Sequence, residues 1–167
     1  MQIQCRPIST YPKAVTPDWQ RKSAQFRAGW TKTLDLVERE LEFLRATDVV
    51  LELDVRETDL NTRTGWPKAY ARPATPRVVL SFKARDIGWL RYATDRYLEW
   101  EANLRAVGLS LEALRSVNRY GVSSAAEQYV GWKALPASTT DGEMTAEQAA
   151  QVLAKYSGHL ASELLRS

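Results

Sequence analysis

Cysteine and histidine are almost missing from this sequence: Cys5 and His159 each stand alone. One thiol cannot form an intrachain disulfide, so a secreted disulfide scaffold is excluded. A structural zinc site needs several Cys or His ligands, and one of each does not supply them. Nucleophilic catalysis of the Ser-His or Cys-His kind would have to use His159 or Cys5, and neither has a partner at a spacing that belongs to such chemistry. His159 reads as a side chain at a helix junction and Cys5 as a small apolar strand residue. The eight glycines are scattered and build no phosphate-cradling loop of the Walker or dinucleotide type. No apolar run approaches the roughly 20 residues of a membrane helix. The first residues, Met1-Gln-Ile-Gln-Cys-Arg-Pro7, hold no apolar stretch of a signal peptide. The expectation is a cytoplasmic protein with no membrane contact, no metal and no cofactor.

What the chain does have is ordinary globular composition. Apolar residues make up 44%, charged residues 26%, and six Trp, seven Tyr and three Phe are ample for a core. The net charge of +3 is distributed unevenly. Residues 1–33 carry six basic side chains against one acidic, and residues 61–97 carry eight against two. Residues 34–60 between them carry nine acidic against three basic. Such blocks either neutralise each other within a fold or leave a basic surface for an acidic partner.

Periodicity divides the chain. Pro7, Pro12 and Pro17 keep residues 1–16 extended, with a short edge strand over residues 2–8. Thr16-Pro17 is a helix start, with a hydroxyl cap followed by proline at the first helical position. Trp19, Phe26, Trp30, Leu34, Val37, Leu41 and Leu44 then recur at helical steps, strongest after Gly29. From Asp48 the period becomes two: Val49, Leu51, Leu53 and Val55 point one way, and Val50, Glu52, Asp54 and Arg56 the other. Residues 57–77, with three prolines and a glycine, read as a long irregular connection, the kind that is often functional. Residues 78–84 and 89–93 read as a strand hairpin. Thr94 reads as the cap of a long helix whose stripe is Tyr97, Trp100, Leu104, Val107, Leu111 and Leu114, with Asn118 and Gly121 as its stop. A helical turn is expected around Gln128 to Trp132.

The implied fold is α+β: a small antiparallel sheet of three or four strands packed against two long helices, with a short helical C-terminal appendage. The expected organisation is an α+β domain over residues 1–135, a linker over 136–143 and a helical segment over 144–167. That segment opens on Thr145-Ala-Glu-Gln148, a capping box.

Two constellations could carry chemistry. Glu52 and Asp54 share a strand face, and Lys83 could lie on the neighbouring strand, as in metal-dependent nucleases. The position two before Lys83 is Ser81 and not a carboxylate, so the pattern is broken and a cross-strand paired face is the better reading. Secondly, basic and aromatic residues interleave from Arg63 to Arg96, as in single-strand binders that join a basic groove to stacking platforms. The binding residues singled out are Trp66, Tyr70, Arg72 and Arg91. Against this, Trp66 and Tyr70 could anchor their own loop, and Arg72 and Arg91 could pair with nearby carboxylates such as Asp59 or Asp95.

Several blocks resemble a family of uncharacterised actinobacterial and actinophage proteins labelled J-domain-containing, or DnaJ-like. They are Gly65-Trp-Pro-Lys-Ala-Tyr-Ala-Arg-Pro73, Val78-Val-Leu-Ser-Phe82, Arg91-Tyr-Ala-Thr-Asp-Arg96, Trp100, Asn103-Leu-Arg-Ala106, Leu111-Glu-Ala-Leu-Arg115, Arg119-Tyr-Gly121, Glu127-Gln-Tyr129 and Gly131-Trp-Lys-Ala-Leu-Pro136. The resemblance implies a bacterial or phage origin and equates this chain with the family's N-terminal domain. In the family, a J-like segment follows, with a His-Pro-Asp tripeptide that engages a chaperone ATPase. Residues 144–165 would correspond to that segment's first helix. His159 is followed by Leu160, and the tripeptide is not present, so co-chaperone activity is not implied. A truncated member, or a branch that keeps only the N-terminal domain, is the expectation.

The sequence therefore favours a non-enzymatic protein-interaction or adaptor domain with a protein partner. A nucleic-acid-binding module is the alternative. A metal-dependent nuclease built on Glu52 and Asp54 comes third.

Overall fold

Alternation of apolar residues from Val49 onward places a strand at the centre of the molecule, and the rest of the fold is arranged on its two faces. The computed structural model describes residues 3–121 and 127–133. These belong to the first of two units, residues 1–134, into which the chain divides. The expected linker and C-terminal helical segment lie outside the described residues. The elements are β1 (Gln4–Pro7), α1 (Trp30–Phe43), β2 (Thr47–Leu53), β3 (Val78–Ala84), β4 (Gly88–Thr94) and α2 (Trp100–Arg119), with short 3-10 helices at Asp18–Gln20, Glu57–Asp59 and Glu127–Trp132.

The strands form one sheet in the order β1-β2-β3-β4. The β2–β3 and β3–β4 pairs are antiparallel, but β1 lies parallel to β2, with Cys5 opposite Leu51. The expected antiparallel sheet is thus a mixed one. The reason is the connection: parallel neighbours need a crossover, and α1 lies between β1 and β2 in the chain.

Register separates the two faces of the sheet. Cys5, Leu51, Leu80 and Tyr92 are successive cross-strand partners and are all buried. They join Val49, Leu53, Val78, Phe82 and Leu90 in a core closed by Val37, Leu41, Leu104, Val107 and Leu111 from the helices. Each such aliphatic side chain contributes about 1.5–3 kcal/mol on burial. The other face carries Gln4, Arg6, Val50, Glu52, Ser81, Lys83, Trp89 and Arg91. Of the two hairpin aromatics, Tyr92 is core and Trp89 is exposed.

The helices pack side by side in the same direction. Arg105 bonds Thr33, Gly108 lies against Leu36 and Val37, and Arg115 bonds Glu40, so contacts advance together along both helices. Close approach is made at Gly108, where an added Cβ would stand 3.1 Å from both Leu36 and Val37. The carboxylate of Glu40 is buried and takes two bonds from Arg115, at 2.6 and 3.1 Å, and one from Arg39 at 3.2 Å. Loss of one partner from such a buried pair costs about 3–5 kcal/mol, because the other charge stays buried.

Two helix starts differ from the sequence expectation. Thr16-Pro17 opens only the 3-10 turn at Asp18–Gln20, and Trp19 is 82% exposed. Residues 21–29 are not helical: Lys22 bridges to Tyr97, its amide donates to the Arg96 carbonyl, and its carbonyl accepts from the Leu98 amide. The Thr16 hydroxyl is also taken, by Asp95. Tertiary bonds have replaced both the cap and the helical ladder. Thr94 likewise is no cap, since it closes β4 opposite Val78. The helix starts at Trp100, and the buried Asn103 organises its entry by accepting from the Tyr97 amide and donating to the carbonyls of Pro76, Tyr97 and Glu99.

The close contact at Gly108 sets an expectation. Gly108→Leu should lower stability by about 2–3 kcal/mol, because overpacking a tight contact outweighs the gain in helix propensity. Urea unfolding would measure it, and an unchanged midpoint would contradict the close helix contact.

Candidate functional site

Both long helices begin with tryptophan, and their common direction brings the two indoles to one end of the molecule. Trp30 and Trp100 meet edge to face, with ring centroids 5.0 Å apart. Trp66 also meets Trp30 edge to face, at 5.8 Å and 82°. Such edge-on pairs add about 0.5–1.5 kcal/mol beyond area burial. Trp66 and Trp100 are partly buried against the core, whereas Trp30 between them remains 37% exposed.

Trp66 is delivered by the connection between β2 and β3, which is well bonded. The Asn61 amide donates to the Trp66 carbonyl at 2.8 Å, and the Gly65 amide to the Asn61 carbonyl at 2.7 Å. The Asn61 side chain accepts from the amides of Arg63 and Thr64. Gly65 has φ 73°, a left-handed conformation that favours glycine at this turn. Beyond it, the Lys68 amide donates to the Asp59 carbonyl and its ammonium to the Thr58 carbonyl. The long connection is therefore a built platform.

Two hollows open beside Trp30. One, of about 240 Å³, is lined by Trp30, Trp66, Pro67, Lys68, Arg72 and Trp100, among others. The second, of about 430 Å³, is lined by Trp30 together with Phe26, Thr33, Leu98, Glu99 and Arg105. Tyr70 is 69% exposed, with the Lys68 ammonium 5.8 Å from its ring centre. Arg72 is exposed and, among the described residues, bonds only the Ala71 carbonyl, at 3.4 Å.

Arg91 stands apart, on the outer face of the sheet. Its guanidinium donates to Glu52 at 2.9 Å and to the Thr10 carbonyl at 2.7 Å. Ser9 also bonds Glu52, and Lys13 bonds the Ala93 carbonyl, so an N-terminal arm crosses this part of the face. Asp95, 3% exposed, pins that arm: the Thr16 amide and hydroxyl each donate to it at 2.7 Å, and Arg21 lies 3.6 Å away. Burial alone would raise the Asp95 carboxyl. The Thr16 bonds and the Arg21 charge outweigh burial and hold it below the usual carboxylate range. The Tyr11 hydroxyl faces the same carboxyl without ordinary hydrogen-bond geometry. Asp54 behaves similarly: burial opposes, but bonds from Thr75 and Arg77 lower it.

Of the residues named from sequence, Trp66 and Arg72 line the same hollow at the tryptophan end, Tyr70 stands exposed in the same connection beside Lys68, and Arg91 lies elsewhere, paired with Glu52. Glu52 and Asp54 are each engaged by an arginine, and Lys83 sits opposite Thr47, at the other end of β2 from Asp54. Among the described residues, no three His, Cys, Asp or Glu side chains group as metal ligands would. Sequence reasoning placed Trp30 and Trp100 in core stripes and missed them as site residues. The signal was their position as first residues of two helices, legible only once the helices are known to run the same way.

Asp54 and Asp95 have lowered folded values, so each stabilises fully above the unfolded carboxylate value of about 3.9, and the contribution disappears as pH falls through the folded value. Thermal melts should thus drop steeply below about pH 4. Asp95→Asn should be less stable at neutral pH, with its deficit shrinking in acid; a deficit independent of pH would refute the pinned arm. No family model, curated protein or solved structure matches this chain.

Proposed function

We propose that this chain is a non-enzymatic protein-interaction domain, of bacterial or phage origin, that receives its partner at the tryptophan end. The observation that carries this reading is Trp30, left part-open at the border of two hollows although Trp66 and Trp100 both pack against it. Trp, Tyr and Arg are the residue types that dominate interface energetics, and a pocket-flanked aromatic is their usual setting. Trp30, Trp66 and Arg72 line one hollow, with Lys68 and Glu101 as a mixed-charge rim and the exposed Tyr70 beside Lys68. The platform is preorganised by the Asn61 and Gly65 bonds, which lowers the entropy cost of binding.

The pairing of Glu52 with Arg91 and of Asp54 with Arg77 supports a non-enzymatic role over the nuclease reading. No helix among the described residues is long and apolar enough to cross a membrane, and we take the partner to be met in the cytoplasm. The resemblance to proteins that join this domain to a partner-recruiting J-like segment supports the same reading.

The test is capture of a stoichiometric protein from nuclease-treated host lysate by the tagged full chain. Tyr70→Ala and Arg72→Glu, both at exposed positions that leave the core intact, should each reduce capture at least ~30-fold, as loss of a central contact does. Retention of the partner by both variants, or no partner at all, would sink the proposal.

A further inference from the structure

We propose that the open half of the outer sheet face binds single-stranded nucleic acid, with Trp89 as the stacking platform and Arg6, Arg63 and Lys83 as phosphate contacts. The N-terminal arm covers only one end of this face, where Ser9, Thr10 and Lys13 reach Glu52, Arg91 and Ala93. Among the described residues, nothing crosses the other end. There Trp89 on β4 stands directly opposite Lys83 on β3, and it is 43% exposed. A hollow of about 800 Å³ runs from Trp89 to the β1 edge, lined by Gln4, Arg6, Val50, Arg63 and Gly65.

The open end of this face has more basic than acidic side chains, with Arg6, Arg63 and Lys83 against Asp48. Among the described residues, no carboxylate pairs with Arg6, Arg63 or Lys83; Arg6 bonds only the Gln4 amide oxygen. Arg91 is already neutralised by Glu52, and Asp48 is the single acid lining the hollow. A protein partner would have to bring several carboxylates and also bury an indole. A single strand brings both complements at once: phosphates at regular spacing and bases with free faces. A duplex keeps its base faces stacked inside, so Trp89 would find no partner on it. The turn at residues 61–66 places Arg63 on this hollow and Trp66 in the tryptophan cluster, so the two surfaces use different side chains.

The experiment is fluorescence polarisation of labelled oligo(dT) and oligo(U) with the full chain at low salt. Binding should fall with salt at a log–log slope of about −2, as expected for three phosphate contacts. Trp89→Ala should weaken it about 10-fold and Trp89→Phe much less, because a phenyl ring still stacks. The double variant Arg6→Glu with Lys83→Glu should weaken it more than 10-fold. Tyr70→Ala, at the tryptophan end, should leave it unchanged, which keeps this test separate from that of the protein partner. Circular dichroism would confirm that each variant is folded. No binding at low salt, equal affinity for duplex, or insensitivity to Trp89→Ala would each overturn the proposal. Displacement by poly-glutamate at matched charge, or an equal loss on Tyr70→Ala, would do the same.

Discussion

The lateral contact between α1 and α2, closed at Gly108 and locked by the buried Glu40–Arg115 pair, is the constraint on which the rest depends. Its direction follows from the sheet. β1 is parallel to β2, and two antiparallel steps carry the order on to β4, so β1, β2 and β4 all run the same way. Each long helix follows one of these strands and returns the chain across the same face. Both must therefore run in the same sense, and both begin at the same end. Had β1 been antiparallel to β2, as the strand pattern suggested, α1 would run oppositely and Trp30 would lie a helix length from Trp100. The aromatic cluster is thus a consequence of strand polarity and of nothing local to the tryptophans. A Gly108 backbone contact sets how near the helices lie, and the Glu40 carboxylate sets their register, because a buried charge tolerates no slip away from its partner.

A second constraint acts on the outer face. A four-stranded sheet with helices on one side leaves its other side wet unless something crosses it. Here the N-terminal arm does so, held by bonds at both ends: Ser9 and Thr10 at the Glu52–Arg91 pair, and Thr16 with Arg21 at Asp95. The arm buries few large apolar side chains, since Val15 and Trp19 are exposed. Its attachment rests on charge-assisted bonds, worth about 1.5–3 kcal/mol each, more than on hydrophobic area. The division of the outer face into a covered and an open half therefore depends on a few carboxylates.

Much of the framework was legible in the residues. The alternation from Val49 to Leu53, the hairpin over residues 78–94 and the stripe from Leu104 to Leu114 all lie in elements of the expected kind, because one buried face imposes its period on the sequence; Val55, expected to continue the strand, lies beyond its end. The failures came where tertiary bonds overrode local chemistry. Thr16 and Thr94 have the side chains of helix caps, yet Thr16 is used by Asp95 and Thr94 by the β-ladder. Neither competing partner is near in sequence or visible in periodicity. Strand polarity failed for a related reason: alternation reports which face is buried and carries no sign for direction. Its one clue was the length of chain between Pro7 and Thr47, enough for a helical crossover. The site was half legible. Trp66, Tyr70 and Arg72 stand within one connection, so composition could mark them. Trp30 and Trp100 belong to separate stripes, and only three-dimensional direction joins them.

The turn at residues 61–66 shows why the two surfaces have to be considered together. It is tightened by the Asn61 and Gly65 bonds, so its side chains are presented on a backbone with little freedom. Trp66 is driven inward to Trp30 by hydrophobic burial, which leaves Arg63 directed to the sheet edge beside Trp89. The stability of the fold needs the first of these placements but not the second. Arg63, Lys83 and Arg6 gain no ion pair among the described residues, and mutual repulsion of like charges on one face lowers stability slightly. Trp89 likewise forgoes part of the burial its size would give. Folding energetics accounts for Trp66, Trp100 and the Glu40 pair; it does not account for a part-open indole beside Lys83, Arg6 and Arg63, and the proposed binding of a single strand rests on that difference.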